Sequence, residues 1–234
     1  MNVAKPARFV TLALFSLVTS EASLVTSSNQ IGSSQTVVDF SQFAGVNTIH
    51  PTSPVSVGSG VTFSSTNPDG SVLGSGPYSF NDNGSWDASL TLAGLDVDLF
   101  GGDEYTMTFA FAQPVSAVGG IIDYAVFPAS GFSDVVITAL ASDGKILEMY
   151  DITTVAPISS QGGQFLGIAR SQADIASFSL SNSAVAIRNL TFSGAPEPSA
   201  ISLLPVGSLL VLFRLRRMSR RSAICSDASA RRRS

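Results

Sequence analysis

Alternation of apolar and polar positions dominates the middle of the chain. Tyr105, Met107, Phe109 and Phe111 fall on one face of an extended segment, with Thr106, Thr108 and Ala110 on the other. That period of two marks a strand with one buried face. Runs at 36–40, 61–64, 88–92, 115–124, 135–140, 146–151, 164–169, 175–180 and 185–192 predict further strands. Between 140 and 146, Ser142-Asp143-Gly144-Lys145 carries the Asp-Gly signal of a hairpin turn. Asn67-Pro68-Asp69-Gly70, Asn81-Asp82-Asn83-Gly84, Gly101-Gly102 and Gly162-Gly163 are loop chemistry. No stretch of the body repeats at 3.6 residues. The pattern predicts an all-β fold, an antiparallel β-sandwich of jelly-roll-like form, over residues 36–194. A core of that size holds without disulfides, which suits a chain whose single cysteine is Cys225.

The two ends break this pattern. Lys5 and Arg8 precede a ten-residue apolar run at 9–18, and Ser20-Glu21-Ala22 places small residues for cleavage between Ala22 and Ser23. Ten residues are too few for a spanning anchor, which needs about 20, so 1–22 reads as a signal peptide. A buried first helix is the competing reading, which the Ser/Thr-rich residues 23–35 continue poorly. They read as a linker. At the other end, Pro196-Glu197-Pro198 precedes an apolar run at 199–213, then Arg214, Arg216, Arg217, Arg220 and Arg221. The prolines hold an extended, accessible peptide around Glu197. As a helix the run spans about 22 Å, and snorkelling arginines at its far end make up the membrane thickness. Positive-inside bias keeps those arginines cytoplasmic and the body outside.

Charge follows the same division. Residues 1–22 carry +1, residues 23–198 carry −12 with three bases against fifteen acids, and residues 199–234 carry +7. The chain as a whole is 44% hydrophobic and 13% charged, about half the usual charge content. An acidic body between two basic, partly apolar ends is a targeting pattern, and it argues against nucleic-acid binding by the body. The arginines after the apolar run, and the basic tail 222–234, have lipid headgroups as the better partner.

The order Pro-Glu-Pro, short apolar helix and arginine cluster resembles the PEP-CTERM sorting signal of Gram-negative bacteria that make exopolysaccharide. The resemblance covers 195–221. It implies recognition by an exosortase, a membrane cysteine transpeptidase, with cutting near Pro196-Glu197-Pro198. Pro205 within the helix and the tail 222–234 depart from the pattern, and an anchor that is never cut is the competing reading. The segment 109–123 and the closing strand 186–192 are similar to the β-rich ectodomains that precede such signals. Ala186 and Arg188 stand where those ectodomains have Gly and Asp, which weighs against a ligand role at 188.

Candidate chemistry in the body is sparse. Asp96 and Asp98, two apart with Asp103 and Glu104 nearby, would suit Ca²⁺ or a pair of glycosidase carboxylates. A solvated acidic edge is the plainer reading. Asp82, Asn83 and Trp86 form an Asx-rich loop where Trp86 stacks on a sugar beside a Ca²⁺ ligand set, or else plugs the core. Leu90 occupies the position where an EF-hand has its Glu, so that motif fails. His50 has no second nitrogen or sulfur ligand and reads as solvated, which leaves no metal site assigned. The sequons at 83–85 and 189–191 carry no weight in a bacterial chain. The expectation is an exported, non-enzymatic surface or biofilm-matrix protein without a cofactor. Its partners are the secretion translocon, signal peptidase, exosortase, the inner membrane and exopolysaccharide. A carbohydrate- or calcium-binding module, and less so a glycoside hydrolase using Asp96 or Asp98, are the alternatives.

Overall fold

The structure is a computed structural model, and it describes residues 22–43, 46–49, 54–67, 71–80, 82–95, 105–125, 134–157, 162–182 and 184–193. In chain order the first strands are β1 (Ala22–Val25), β2 (Gln35–Val38), β3 (Val46–Ile49), β4 (Val55–Gly58), β5 (Val61–Ser65) and β6 (Ser71–Ser75). A small hairpin follows, β7 (Tyr78–Ser79) and β8 (Ser85–Trp86). Then come β9 (Thr91–Leu95), β10 (Tyr105–Val115), β11 (Ala117–Tyr124) and β12 (Val136–Leu140). The last four are β13 (Ile146–Asp151), β14 (Gln164–Arg170), β15 (Ile175–Asn182) and β16 (Val185–Ser193). A 3₁₀ turn at Ser28–Ile31 and a short helix α1 (Ile152–Val155) are the helical elements among the described residues.

Two antiparallel sheets carry the fold. Sheet A runs β1-β14-β11-β16-β9-β6-β3, with β2 also paired to β16, and sheet B runs β13-β12-β15-β10-β5-β4. Both contribute to one core. Val118, Ile122, Leu166, Ile168 and Ile187 from sheet A meet Phe63, Met107, Phe109, Ile137, Phe178 and Leu180 from sheet B. Met107 and Phe109 are fully buried, as the alternation in β10 predicts, and Phe109 packs on Phe63 with ring centroids 5.5 Å apart. The Asp-Gly turn also forms as predicted: Gly144 takes a φ of 80°, and the Lys145 amide donates to Asp143 Oδ1 at 3.0 Å. It joins β12 to β13.

The predicted linker 23–35 is part of the fold instead. Ser23, Leu24 and Val25 pair with Ala169, Ile168 and Gly167 of β14. Ser27 and Gln30 then build a capping box on the 3₁₀ turn, which drops Ile31 against Ala117 and Val25 on the outer face of sheet A. A Ser/Thr-rich stretch thus makes an edge strand because two apolar positions, Val25 and Ile31, suffice to cover that face. The predicted strand 88–92 begins three residues later, since Asp87 accepts from the Ser89 amide at 2.7 Å and holds 87–90 in a turn.

One row of residues fixes how the body's ends lie. Ser23 pairs with Ala169, Ala169 with Ala117, Ala117 with Ser193, and Ser193 with Gln35. The start of β1 and the end of β16 therefore sit at the same end of sheet A. Three strand spacings separate them, about 14 Å. In β16 a bulge at Asn189, whose φ is 52°, divides the strand: its first part pairs with β9 and its second with β2.

Candidate functional site

Several candidates lie outside the described residues: Asp96, Asp98, Asp103, Glu104, His50, Pro196, Glu197, Pro198, the arginines from Arg214 to Arg221, and Cys225. Ala22 and Ser23 form the start of β1, opposite Arg170 and Ala169. Asp82, Asn83 and Trp86 can be placed in the β7–β8 hairpin.

That hairpin closes through Phe80 and Gly84, whose backbone groups bond at 2.8 Å. Asp82 points to solvent at its tip. Asn83 is buried, and its Nδ2 donates to the Tyr124 carbonyl at 2.7 Å, which pins the hairpin to the end of β11. Trp86 is only 2% exposed and packs with Tyr78, Phe80, Leu92 and Ala186. Phe80 meets it edge-on at 4.9 Å. The Trp86 ring accordingly presents no face on which a sugar could stack. Asn83 is engaged through its Nδ2 as a donor to backbone.

Beneath the hairpin lies a cluster around Asp123 and Arg188. Asp123 of β11 and Arg188 of β16 both face outward from sheet A, since Asp123 pairs with Ala186 and Ile121 with Arg188. The guanidinium carbon of Arg188 sits 5.2 Å from the Trp86 ring centroid, a cation–π contact. Its Nη2 donates to the Gly162 carbonyl at 3.2 Å. Gly163 must be glycine: its φ is 76°, and a Cβ there would lie 2.6 Å from the Ile122 carbonyl oxygen and 3.1 Å from Trp86 Cζ2. Asp123 is fully buried, and its Oδ1 accepts from the Tyr124 amide at 2.9 Å. Among the described residues Asp123 Oδ2, Arg188 Nε and Trp86 Nε1 are buried without a hydrogen-bonding partner.

The electrostatics follow from that geometry. Burial pushes the Asp123 carboxyl up to about 6. The amides of Tyr124, Gly162 and Gly163 and the Arg188 charge all pull it the other way without prevailing. The other shifted acids behave as local caps. The Ser41 amide and hydroxyl hold Asp39 below the usual carboxylate range, and the Ser89 hydroxyl and amide do the same for Asp87. Burial raises Asp151, but hydrogen bonds from Thr153 and Thr154 outweigh it and leave the carboxyl lowered. Asp174 takes Arg170 in a two-pronged pair at 2.7 and 2.9 Å.

Chemically, Asp123 is a single carboxyl facing a guanidinium and backbone amides. Glycoside cleavage needs a second carboxylate about 5–10 Å away across a cleft. The charged group acting on Asp123 is a cation instead. Among the described residues no group of three or more His, Cys, Asp or Glu side chains converges to hold a metal. The cluster is built to fasten the hairpin and the 162–163 turn onto sheet A. One signal for it was present in the sequence, a lone Asp in the apolar run Gly119-Gly120-Ile121-Ile122-Asp123-Tyr124. No protein-family model, curated protein or solved structure matches this chain.

Proposed function

We propose that this chain is an exported, non-enzymatic surface or exopolysaccharide-matrix protein of a Gram-negative bacterium, sorted by an exosortase at Pro196-Glu197-Pro198. The observation that carries the reading is that the described strand pairings, apart from that of Ala22, lie between the two expected cutting sites. Its first strand starts at Ala22, beside the expected signal-peptidase bond, and its last strand ends at Ser193. Only Gly194 and Ala195 then precede Pro196. Cutting at both places leaves every described strand pairing intact except that of Ala22.

The reading includes a finer fold. From β9 onward, sheet A takes strands in the order β14-β11-β16-β9 and sheet B in the order β13-β12-β15-β10. Successive strands alternate between the sheets apart from the β12–β13 hairpin. That order supports a jelly-roll β-sandwich of eight strands, widened by β1 to β6. The apolar run at 199–213 lies outside the described residues, among which no helix is long and apolar enough to cross a membrane.

On this reading the translocon and signal peptidase act first, the inner membrane holds the body briefly, and the exosortase then frees or transfers it. Exopolysaccharide is the setting of the mature body. No cofactor enters the scheme. The test is the intact mass of the protein from cell-bound and secreted fractions of its host. A chain running from near Ser23 to near Pro198 supports the reading, and added mass identifies an attached group. A chain still ending at Ser234 sinks the sorting step and leaves an anchored ectodomain.

A further inference from the structure

We infer that the end of the body where β1 begins and β16 ends, with Ser23 and the turn residues 142–145 exposed there, is its membrane-facing surface, seated against phospholipid headgroups in the precursor. The inference rests on the export reading above and adds an orientation to it.

The row Ser23, Ala169, Ala117, Ser193 brings both ends of the body to one side. The same side gathers two crossings between the sheets. Val115 of sheet B passes through Ser116 to Ala117 of sheet A, and Arg170 of sheet A passes to Ile175 of sheet B. Backbone bonds tie them: the Arg170 amide donates to the Ser116 carbonyl at 2.8 Å and the Ser116 amide to the Ser193 carbonyl at 3.0 Å. In sheet B, Val115 pairs with Ile175 and Leu140 with Ser177, which puts the turn after Leu140 at this end too.

Chain length then limits the distance to the membrane. From Ser193 to Ser199 the reach is at most about 22 Å. With the signal peptide cut away, this one short tether leaves from the Ser193 end and keeps that end nearest the membrane. Charge agrees with that seating. Lys145 and Arg170 are two of the three cations in residues 23–198. They face Asp143, Asp174 and Glu148, so this end is far less acidic than the body as a whole, which carries −12. A less acidic surface meets anionic headgroups with less repulsion than the rest of the body would incur. The far end holds Tyr124, Val185 and the β7–β8 hairpin with exposed Asp82, about 23 Å away along β11.

The test uses the full-length chain with Cys225→Ser, carrying either Ser142→Cys or Asp82→Cys, both at exposed turn positions. Each cysteine is given a fluorophore, and the chain is reconstituted in phosphatidylethanolamine–phosphatidylglycerol vesicles containing a headgroup nitroxide quencher. The expected result is quenching at 142 about threefold or more above that at 82, given the separation along the strands. Flotation with the vesicles but equal or reversed quenching overturns the orientation and leaves the export reading standing. Failure to float with vesicles overturns both together.

Discussion

Tyr78 packs its ring onto the backbone of Gly94, so closely that a Cβ at residue 94 would lie 2.7 Å from Tyr78 Cε2 and 3.2 Å from Ala186 Cβ. The Tyr78 hydroxyl meanwhile donates to the Leu95 carbonyl, so the ring has little freedom to withdraw. Gly94→Ala is therefore expected to destabilise the protein by about 2–3 kcal/mol through overpacking. Gly144→Ala is the control: nothing lies within 4 Å of its Cβ position and only the φ of 80° opposes it, a cost of about 1 kcal/mol. Urea midpoints of the two variants should fall in that order.

Asp123 gives the stability curve a sign. Its carboxyl sits near 6 in the folded chain against an ordinary 3.8, so the folded state holds the proton more tightly than the unfolded one. Its contribution is fully present below about pH 4, is lost as pH rises through about 6, and is level above that. Asp123→Asn keeps an acceptor for the Tyr124 amide and removes the charge. The variant should be more stable than the parent above pH 6.5 by up to about 3 kcal/mol, a difference that fades toward pH 4. A pH-independent difference would mean the carboxylate is not the burdened group.

Trp86 is the protein's single tryptophan, which makes its fluorescence a report on one place. The native emission should be blue-shifted and poorly quenched by acrylamide, because the ring is enclosed by the hairpin. Oligosaccharides should leave it unchanged. Trp86→Ala should cost about 3–5 kcal/mol in stability, and Trp86→Phe much less.

Ile31 tests whether the N-terminal segment belongs to the fold. It is 2% exposed and packs with Val25 and Ala117. Ile31→Ala should lower stability by about 2–4 kcal/mol and open the segment to limited proteolysis before global unfolding. A true linker would show neither effect.

What was legible in the sequence was what depends on nearest neighbours. The alternation in β10 and the Asp-Gly turn before β13 state their own geometry, because side-chain period and left-handed backbone are local properties. What was missed depends on remote partners. β6 is short and contains Gly74 at positive φ, and nothing nearby in the chain shows that β3 and β9 will pair with it. Trp86 beside an Asx-rich loop looks the same in sequence whether its ring meets a sugar or Phe80. Asp123 was visible as a charge in an apolar run, but its neighbours Arg188 and Gly163 come from a strand and a turn far along the chain.

The bulge at Asn189 also bears on the order in which the protein can be made. By changing phase there, β16 pairs with β11 on one edge and with both β9 and β2 on the other, so it joins the two halves of sheet A. It is also the last described strand to leave the ribosome. Until residues 185–188 have emerged, β9 and β11 have no strand between them and the sheet stays split. A chain that cannot close its principal sheet early remains threadable for nearly its whole length, and its final strand acts as the clasp.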